Sequence, residues 1–410
     1  MAKSKIYAGL EIGTSTICVV VGEVLGNGSI KILGVGQAPS RGVRKGEIVD
    51  FETAQTSLND ALVEAEEKSD VEISNVYLAV SGSHIESLCN KGSIRIPEVD
   101  GVNEISEEDL DEVREIARDI KLPPENVFLH SIIRDYYVDG QEGVQNPVGR
   151  QGQVVEADYH IIHGIKTRLQ NTIRCVREIP INVEEVVFSP IAAAQVMLKR
   201  DDKDRGALLI DIGGGVTDYV MYSGGSVAQS GCIGVGGDHI TNDISVVMKI
   251  PLTRSEKLKI DHGCALPEND EDSSIVLDDD PLKSGLEIDK ELLNQIINAR
   301  ATEIFEQLKD RITKHDNLDT LGAGVFLTGG ASKLKDIDKL AEDILGLPVS
   351  LARISSMSGA SAPFENPQLA TAMGLIRYAQ MIESDKSENE TLVSKIGKKI
   401  GGIFGGGSVE

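Results

Sequence analysis

Two stretches decide the fold of this chain: Tyr7-Ala-Gly-Leu-Glu11-Ile-Gly13-Thr-Ser15, near the start, and Leu208-Leu-Ile-Asp211-Ile-Gly213-Gly-Gly-Val-Thr-Asp218, in the middle. Each stretch places an acidic residue and a glycine loop directly after an apolar strand, and a second β-rich run follows each loop. The two acidic residues are 211 − 11 = 200 positions apart. A duplicated strand–turn–strand unit of this kind predicts two α/β halves that hold a nucleotide between them.

Length and composition fit this arrangement. At 410 residues and 44.0 kDa the chain is long enough for two lobes, and a hydrophobic content of 40% predicts a globular protein. The formal net charge is −24, the chain has no tryptophan, and only 4% of its residues are aromatic. Because such a surface repels a polyanion and offers few rings for base stacking, we expect no nucleic-acid partner.

The cysteines and histidines indicate neither disulfides nor zinc. The five cysteines are scattered and never form a Cys-x-x-Cys pair, which is typical of a reduced, cytoplasmic interior. His160 and His163 lie three apart on a predicted strand and therefore face opposite sides, so we interpret them as structural. We find neither a signal peptide nor an apolar run of about eighteen residues that could span a membrane.

Four loops at the ends of apolar runs carry the candidate binding chemistry. Glycines let consecutive backbone N–H groups approach phosphate oxygens, and neighbouring hydroxyls add donors. The predicted phosphate-binding and adenosine-binding residues are Gly13, Thr14, Ser15, Thr16, Gly213, Gly214, Gly215, Thr217, Gly236, Gly237, Asp238, Gly329, Gly330, Ala331 and Ser332. Neither a P-loop nor a Gly-x-Gly-x-x-Gly fingerprint follows the first strand.

The carboxylates of the two central loops predict a metal. Glu11 and Asp211 would repel phosphate directly, so we expect them to hold Mg²⁺, through water, beside the phosphates of the nucleotide. They are also the candidates for a catalytic role, and the sequence assigns that role to neither. Asp218 is a further candidate for the shell around the ion.

The order of these motifs resembles the actin, Hsp70 and sugar-kinase superfamily, and within it the FtsA family of bacterial cell-division proteins. The resemblance rests on the two central loops, Val187-Phe-Ser-Pro-Ile-Ala192, Glu256-Lys-Leu-Lys259 and Leu327-Thr-Gly-Gly-Ala331. It implies an α/β, actin-like, two-lobed fold made of duplicated ribonuclease-H-like domains, with an FtsA-type inserted subdomain.

The resemblance also implies a division of the chain. The predicted parts are 1–82, 165–200 and 361–383 for subdomain 1A, 83–164 for the inserted subdomain 1C, 201–240 and 317–360 for subdomain 2A, and 241–316 for subdomain 2B. The run 199–205, rich in Lys, Asp and Arg, is interpreted as a solvated connector between the lobes. Two small-residue helices, beginning at Pro190 and Asn366, are predicted at the hinge.

For the cleft, the resemblance implies ATP with magnesium, and Glu256 and Lys259 near the ribose and adenine. Two departures from superfamily relatives bear on catalysis. Ser189 stands where Hsp70-like members have a water-orienting carboxylate, and Thr16 stands where many relatives have lysine. Because a hydroxyl is a poor general base at neutral pH, we expect at most slow ATP hydrolysis.

The last residues predict a membrane anchor. Residues 384–391 are polar and are interpreted as a flexible linker, and 392–405 as an amphipathic helix with a basic face. Such a helix is suited to an anionic bilayer surface, with docking on the protein's own core as the alternative. The predicted membrane-binding residues are Leu392, Val393, Lys395, Ile396, Lys398, Lys399, Ile400, Ile403 and Phe404.

The function implied by the resemblance is that of a division adaptor at the cytoplasmic face of the inner membrane, at the septum. It would bind ATP, assemble head to tail into filaments, tether FtsZ through the FtsZ C-terminal peptide on subdomain 2B, and recruit later divisome proteins. Lys290, Asn294 and Arg300 could meet an acidic peptide there. The alternatives are a pilus-assembly-type relative and another ATPase of the superfamily, such as a sugar kinase or a chaperone.

Overall fold

The computed structural model describes residues 5–266, 274–277, 286–314, 318–354, 357–359 and 366–388. The predicted membrane helix, 392–405, and the end of the predicted linker lie outside the described residues. So do parts of predicted subdomain 2B.

Eighteen strands lie in the described part of the chain. They are β1 Lys5–Ile12, β2 Thr16–Val24, β3 Ile30–Pro39, β4 Val43–Arg44, β5 Glu47–Ile48, β6 Asn75–Val80, β7 Ile85–Arg95, β8 Asn126–Val138, β9 Val154–Ile165, β10 Asn182–Phe188, β11 Ala207–Ile212, β12 Thr217–Ser223, β13 Ser226–Ile233, β14 Ser274–Leu277, β15 Leu286–Asp289, β16 Gly324–Thr328, β17 Val349–Leu351 and β18 Met357–Gly359.

Ten α-helices accompany them in the same described ranges. They are α1 Phe51–Ser69, α2 Glu107–Arg118, α3 Lys166–Arg177, α4 Ser189–Met197, α5 Arg200–Arg205, α6 Gly237–Met248, α7 Leu252–His262, α8 Lys290–Thr313, α9 Ile337–Leu345 and α10 Ala370–Glu388.

The first lobe is a six-stranded sheet with the order β10-β6-β1-β2-β3-β18. Strand β2 is buried on both faces, because successive side chains point to opposite sides of a strand. Val19 and Val21 join the core under α1, whereas Cys18 and Val20 pack with α10. The sheet is therefore covered by a helical layer on each side, as in α/β folds.

The second lobe repeats this plan in a five-stranded sheet with the order β13-β12-β11-β16-β17. The first hairpin of each lobe has the same register: Glu11 lies opposite Cys18, and Asp211 lies opposite Asp218. Strands β6 and β16 are parallel to β1 and β11, respectively. The predicted duplication is thus confirmed strand by strand.

The inserted segment is a small α/β subdomain, as predicted. Its sheet has the order β7-β9-β8, and α2 begins with the predicted capping box, in which Ser106 and Asp109 each accept a hydrogen bond from the other's backbone N–H. The insert also contacts the second lobe at the edge strand β13. The Ser87 hydroxyl donates to the Ser230 carbonyl at 2.6 Å, and the His160 ring lies 2.8 Å from the Ser230 hydroxyl.

The two predicted hinge helices, α4 and α10, pack against each other at very short range. A side chain at Gly374 would place its Cβ 2.0 Å from the carbonyl oxygen of Ala192, so only glycine fits at this crossing. Residues 200–205 of the predicted connector form helix α5, none of whose residues is buried. Helix α10 also extends to Glu388, so the first five residues of the predicted linker are helical.

Candidate functional site

A cavity of about 360 Å³ opens between the lobes, where β1 and β11 end. The loops that follow both strands, the first turns of α6, the inner face of α7 and the turn after β16 form its walls. Glycines and polar side chains line most of this space, and a few apolar side chains line the rest.

Most of the predicted cleft residues line this cavity. They are Glu11, Gly13, Thr14, Ser15, Thr16, Asp211, Gly213, Gly214, Gly215, Gly237, Asp238, Glu256, Lys259, Gly329, Gly330 and Ala331. Residues from five separate segments of the chain thus converge on one space. Their binding roles stay predictions, since the structure shows their placement alone.

Three predicted residues are absent from the cavity wall. Thr217 is fully buried and its hydroxyl donates to the Val235 carbonyl at 2.8 Å. The Ser332 hydroxyl donates to the Gly329 carbonyl at 2.7 Å, and Gly236 caps the start of α6. These residues hold the loops in shape, a role that glycine and hydroxyl patterns in the sequence do not distinguish from ligand contact.

The two central loops face each other closely across the cleft. A Cβ at Gly214 would lie 1.9 Å from the Ser15 hydroxyl oxygen, and a Cβ at Gly215 would lie 2.5 Å from that of Thr14. The Ser15 hydroxyl also donates to Asp238 of the second lobe at 3.3 Å. Hydroxyl side chains of one lobe therefore occupy the space left by glycines of the other.

Three carboxylates collect at the base of the cleft. Burial and the neighbouring Asp211 and Asp218 raise the pKa of Glu11 well above its usual range. Burial raises the pKa of Asp211 to about 6 and that of Asp218 to about 7. Because desolvated negative charges repel one another, this donor set favours a bound cation.

The donor set fits Mg²⁺ held through water. Among the described residues, no group of three His, Cys, Asp or Glu side chains converges closely enough to ligate a metal alone. Mg²⁺ keeps several waters and is commonly bound by one or two carboxylates together with substrate phosphates. Thr371, at the start of α10, donates to Asp211 at 3.3 Å and fixes this carboxylate.

Sequence reasoning missed Ser81, which follows β6 and connects the lobes. Its hydroxyl lies 2.7 Å and 2.6 Å from the two carboxylate oxygens of Asp218, and it lines the cavity. The sequence shows Ser81 only as the end of a strand. The structure places it at the site, because β6 is parallel to β1 and the ends of parallel neighbours lie at the same sheet edge.

Lys259 is a buried, positively charged residue on the part of the cavity wall that the second lobe provides. Its ammonium donates to the Gly237 carbonyl at 3.1 Å and to the Thr241 hydroxyl at 2.9 Å, and lies 2.6 Å from Glu256. Ile260, on the next position of α7, lines the same region although its side chain is 68% exposed. The sequence did not single out Ile260, because an exposed isoleucine has no local signature.

Ser189 is present at the cavity, but its hydroxyl is already used. It donates to the Val80 carbonyl at 3.0 Å, and the residue is 4% exposed. A buried hydroxyl held in this way offers no basic lone pair comparable to a carboxylate. The expectation of slow hydrolysis stays a prediction, and this geometry supports it.

His160 and His163, interpreted from the sequence as structural, lie in separate hydrogen-bond networks. Burial lowers the pKa of His160 to about 3, so its imidazole is neutral beside Ser230 at physiological pH. The His163 ring lies 3.0 Å from the Asn126 side-chain amide. Both are buried, as expected of structural histidines.

Comparison with known proteins agrees with this architecture. The family model for the cell division protein FtsA matches residues 208–374, and the model for the SHS2 domain inserted in FtsA matches residues 82–163. The cell division protein FtsA of Pseudomonas aeruginosa is 32% identical over 93% of this chain and 91% of its own length. The chain belongs to the FtsA family. The Escherichia coli member is 31% identical over 92% of this chain and 90% of its own.

Solved structures show that this FtsA-family chain has the actin-like fold. A PilM–PilN type IV pilus biogenesis complex has a TM-score of 0.63 at 17% identity, covering 91% of this chain and 98% of that one. MreB5 of Spiroplasma citri, bound to ADP, has a TM-score of 0.56 at 15% identity, covering 93% and 98%. In the described ranges, no helix is both long and apolar enough to cross a membrane.

Proposed function

We propose that the cleft binds ATP with Mg²⁺. The observation that carries this proposal is the cavity in which two glycine loops face each other above three carboxylates, of which Asp218 is buried and Glu11 and Asp211 are partly buried. The backbone N–H groups of Gly13 and Gly213 already donate to the carbonyls of Thr16 and Val216, at 3.1 Å and 3.0 Å. The N–H groups at 14–15 and 214–215 would therefore receive the phosphates, and Glu11 and Asp211 would hold the waters of the ion. When bound, the ion would neutralise the carboxylates and the phosphates together.

The base would lie on the outer side of the cavity. Ile260 and Leu334 provide apolar surface there, and Lys259 and Glu256 provide polar groups, all on the cavity wall. Covering Ile260 with a planar base removes an exposed apolar side chain from water, which favours binding by about 1–2 kcal/mol.

Titration of ATP with and without Mg²⁺ tests this assignment, using Asp211→Asn as the variant and Asp261→Asn, on the exposed side of α7, as the matched control. We expect the wild-type chain and Asp261→Asn to bind at least tenfold more tightly with Mg²⁺. Asp211→Asn should lose most of this difference, because one negative charge beside the ion is gone. An unchanged Mg²⁺ dependence in Asp211→Asn would contradict the assignment.

We further propose that nucleotide binding sets the geometry of the lobes for head-to-tail assembly, with turnover slow. The cross-cleft contacts of Ser15 with Asp238 and of Ser81 with Asp218 support this, because they make the relative position of the lobes depend on the cleft. Filament formation on anionic lipid monolayers, seen by electron microscopy with and without Mg–ATP, is the corresponding test. Filaments of the same length without nucleotide would contradict the proposal.

The cellular role we propose is that of a membrane tether for FtsZ filaments at the cytoplasmic face of the division septum, recruiting later divisome proteins. The basic amphipathic pattern at 392–405 supports attachment to an anionic inner membrane. Deletion from Val393 onward should abolish co-sedimentation with phosphatidylglycerol vesicles and leave ATP binding intact. Persistent sedimentation of the shortened chain would contradict the role of this segment.

Subdomain 2B is the proposed site for the FtsZ C-terminal peptide. The described residues of 241–316 expose large apolar side chains at Val246, Val247, Leu252 and Leu292. Asn294, suggested earlier as a contact, is 1% exposed and accepts a hydrogen bond from Cys264, so that suggestion is wrong. Arg300 is paired with Asp243 at 2.6 Å.

Fluorescence anisotropy with a labelled FtsZ C-terminal peptide distinguishes these surfaces. We expect Val247→Asp to weaken binding at least fivefold, because it places a charge in an apolar contact. Val63→Asp, on α1 of the first lobe, provides a matched exposed position and should have no effect. Equal affinities for the two variants would place the peptide elsewhere.

A further inference from the structure

A second concavity, of about 730 Å³, lies at the junction of the two lobes and shares no lining residue with the cleft. We call it the hinge pocket. Its walls come from the end of α4, helix α5, the β12–β13 turn, helix α10 and one loop of the insert. The lining residues are Gln145, Gln195, Leu198, Lys199, Arg200, Lys203, Asp204, Gly224, Gly225, Ser226, Arg377 and Met381.

The charge of the hinge pocket is opposite to that of the protein. Four lining residues are Lys or Arg and one is Asp, so the local formal charge is 4 − 1 = +3 in a chain of net charge −24. Asp204 lies at 3.9 Å from Arg200, and both side chains are more than half exposed. A concentration of positive charge inside an acidic molecule attracts small anions to one place on its surface.

Lys203 is a lining residue of the hinge pocket whose charged group is held by contacts within the protein. Its ammonium donates to the Gln195 side-chain carbonyl at 3.1 Å and lies 4.8 Å from the centre of the Tyr222 ring. Within the described ranges, no carboxylate lies within 4.0 Å of it. Desolvation lowers the pKa of Lys203 to about 8, which shows that the surroundings provide little compensating negative charge.

The neighbouring groups hold Lys203 in place. The Gln195 amide donates to the Ile191 carbonyl at 2.9 Å, so the oxygen that receives Lys203 has a fixed position. Arg377, on α10, donates to the Gly28 carbonyl at 3.2 Å and to Gln380 at 2.7 Å. Two cations from different elements are therefore positioned before any ligand arrives, and the exposed Arg200 side chain is able to close over it.

We propose that the hinge pocket binds a phosphate-bearing anion through Lys203, Arg200 and Arg377. Guanidinium groups match the tetrahedral oxygens of phosphate with paired N–H donors, and lysine adds a point charge. The volume lies within the usual range for small-ligand pockets, about 300–1,000 Å³.

Because the hinge pocket lies between the lobes, a ligand bound in it would affect their relative position. Gln195 and Arg377 belong to helices of the first lobe, Ser226 belongs to the second lobe, and Lys203 lies on the connection between them. A bound anion contacts both sides of the hinge and therefore stabilises one lobe arrangement over others. Reciprocally, nucleotide in the cleft alters the affinity of the hinge pocket.

The test is calorimetric titration of inorganic pyrophosphate into the full chain in buffer without Mg²⁺ or nucleotide, so that no other phosphate compound competes for the hinge pocket. Any binding at the cleft is then common to all variants. We expect Arg200→Gln and Lys203→Gln to weaken pyrophosphate binding at least tenfold each, and Lys68→Gln, a lysine on α1 far from the pocket, to leave it unchanged. Because the Arg200 side chain is 92% exposed, its variant folds even if Lys203→Gln does not. Equal affinity in the wild type and Arg200→Gln, or an equal loss in Lys68→Gln, overturns the proposal.

The same variants distinguish a soluble phosphate compound from a lipid headgroup. Full-chain protein is sedimented with phosphatidylglycerol vesicles, with and without competing pyrophosphate. Loss of pyrophosphate binding in Arg200→Gln with unchanged sedimentation supports a soluble ligand. A parallel loss of sedimentation in Arg200→Gln, reproduced by competing pyrophosphate, supports a headgroup. If neither measurement distinguishes Arg200→Gln from Lys68→Gln, the hinge pocket is not a phosphate site.

Discussion

The two central loops share one backbone plan and differ in their side chains. At equivalent positions, 200 residues apart, the first lobe pairs Glu11 with Cys18, whereas the second pairs Asp211 with Asp218. Similarly, Thr14 and Ser15 in the first loop correspond to Gly214 and Gly215 in the second. The lobes are therefore complementary rather than identical. The first lobe supplies two hydroxyls and a neutral thiol, and the second lobe supplies glycines that leave room for the hydroxyls and a second carboxylate in place of the thiol.

The difference has an electrostatic reason. The cleft already contains three carboxylates, one buried and two partly buried, and Cys18 stands where a fourth would repeat the second lobe. Burial raises the pKa of Cys18 to about 12, so the thiol stays neutral. The difference between the two loops also has a steric reason, because hydroxyl side chains on both loops would occupy the same space. The two central loops can come into contact across the cleft only if their side chains differ at the contact.

The largest expected effect comes from removing the electrostatic difference with Cys18→Asp. A further unpaired carboxylate at a residue that is 2% exposed should lower the free energy of unfolding by about 3–5 kcal/mol at pH 8. Chemical denaturation measures the change, and Cys18→Ser is the control for loss of the thiol. The loss should shrink at pH 5, where the new group is protonated; a loss independent of pH would point to a steric cause.

The next effect is the pH dependence contributed by Asp218, whose pKa is raised from 3.8 to about 7 by burial. Between these values the folded state holds a proton that the unfolded state has released, so this group lowers stability as pH rises from about 4 to 7. The contribution amounts to about 4 kcal/mol and is constant above pH 7. Asp218→Asn should abolish it in the nucleotide-free protein.

The measurement is the difference in unfolding free energy between Asp218→Asn and the wild type across this range. Buried histidines contribute the opposite slope: burial lowers the pKa of His130 to about 4, so its contribution to stability is lost as pH falls from 6.5 to 4. The pH dependence from the histidines is the same in Asp218→Asn and the wild type, so it cancels when their unfolding free energies are subtracted. A flat difference curve would show that Asp218 is ionised throughout.

A smaller effect should follow when the steric difference is removed with Gly214→Ala. The added Cβ would lie 1.9 Å from the Ser15 hydroxyl and 3.0 Å from the Asp238 carboxylate, so the loops must separate. Strain of about 1–3 kcal/mol corresponds to a loss of roughly 5- to 150-fold in ATP affinity. Ser15→Gly in the same chain should restore most of the affinity, and absence of rescue would show that the contact is not responsible.

The smallest effect concerns the hydrogen bond that joins the lobes. Ser81→Ala leaves Asp218 without its hydroxyl donor and should lower stability by about 1–2 kcal/mol. In a double-mutant cycle with Asp218→Ala, the stability lost by the double variant should be smaller than the sum of the two single losses, because both changes remove the same contact. Additive effects would mean that Ser81 acts independently of Asp218.

Much of the fold could be predicted because its signals are local. A strand followed by an acidic residue and glycines identifies each half, and the capping box at Ser106 identifies a helix start. The run 199–205 connects the lobes as predicted, but the sequence interpretation did not identify the helix within it. The charged residues support that helix by i,i+4 contacts, such as Arg200 with Asp204.

The site was predicted less completely for a related reason. Thr217 and Ser332 share the residue type and loop position of true cavity residues, but their hydroxyls point to backbone carbonyls inside their own loops. Ser81 and Ile260 have no local signature. Ser81 reaches the cavity because β6 pairs with β1, and Ile260 because α7 packs on α6. Side-chain direction in a loop depends on the final backbone, which sequence spacing does not specify.

The sequence by itself determined that the chain is two similar halves of one family, each with a glycine loop after its first strand, because strand and turn preferences are short-range. Only the tertiary structure decided which glycine faces which hydroxyl, that Ser81 holds Asp218 across the cleft, and that Lys203, Arg377 and Gln145 meet at the hinge. Those contacts join residues more than fifty positions apart, and packing of whole elements brings them together.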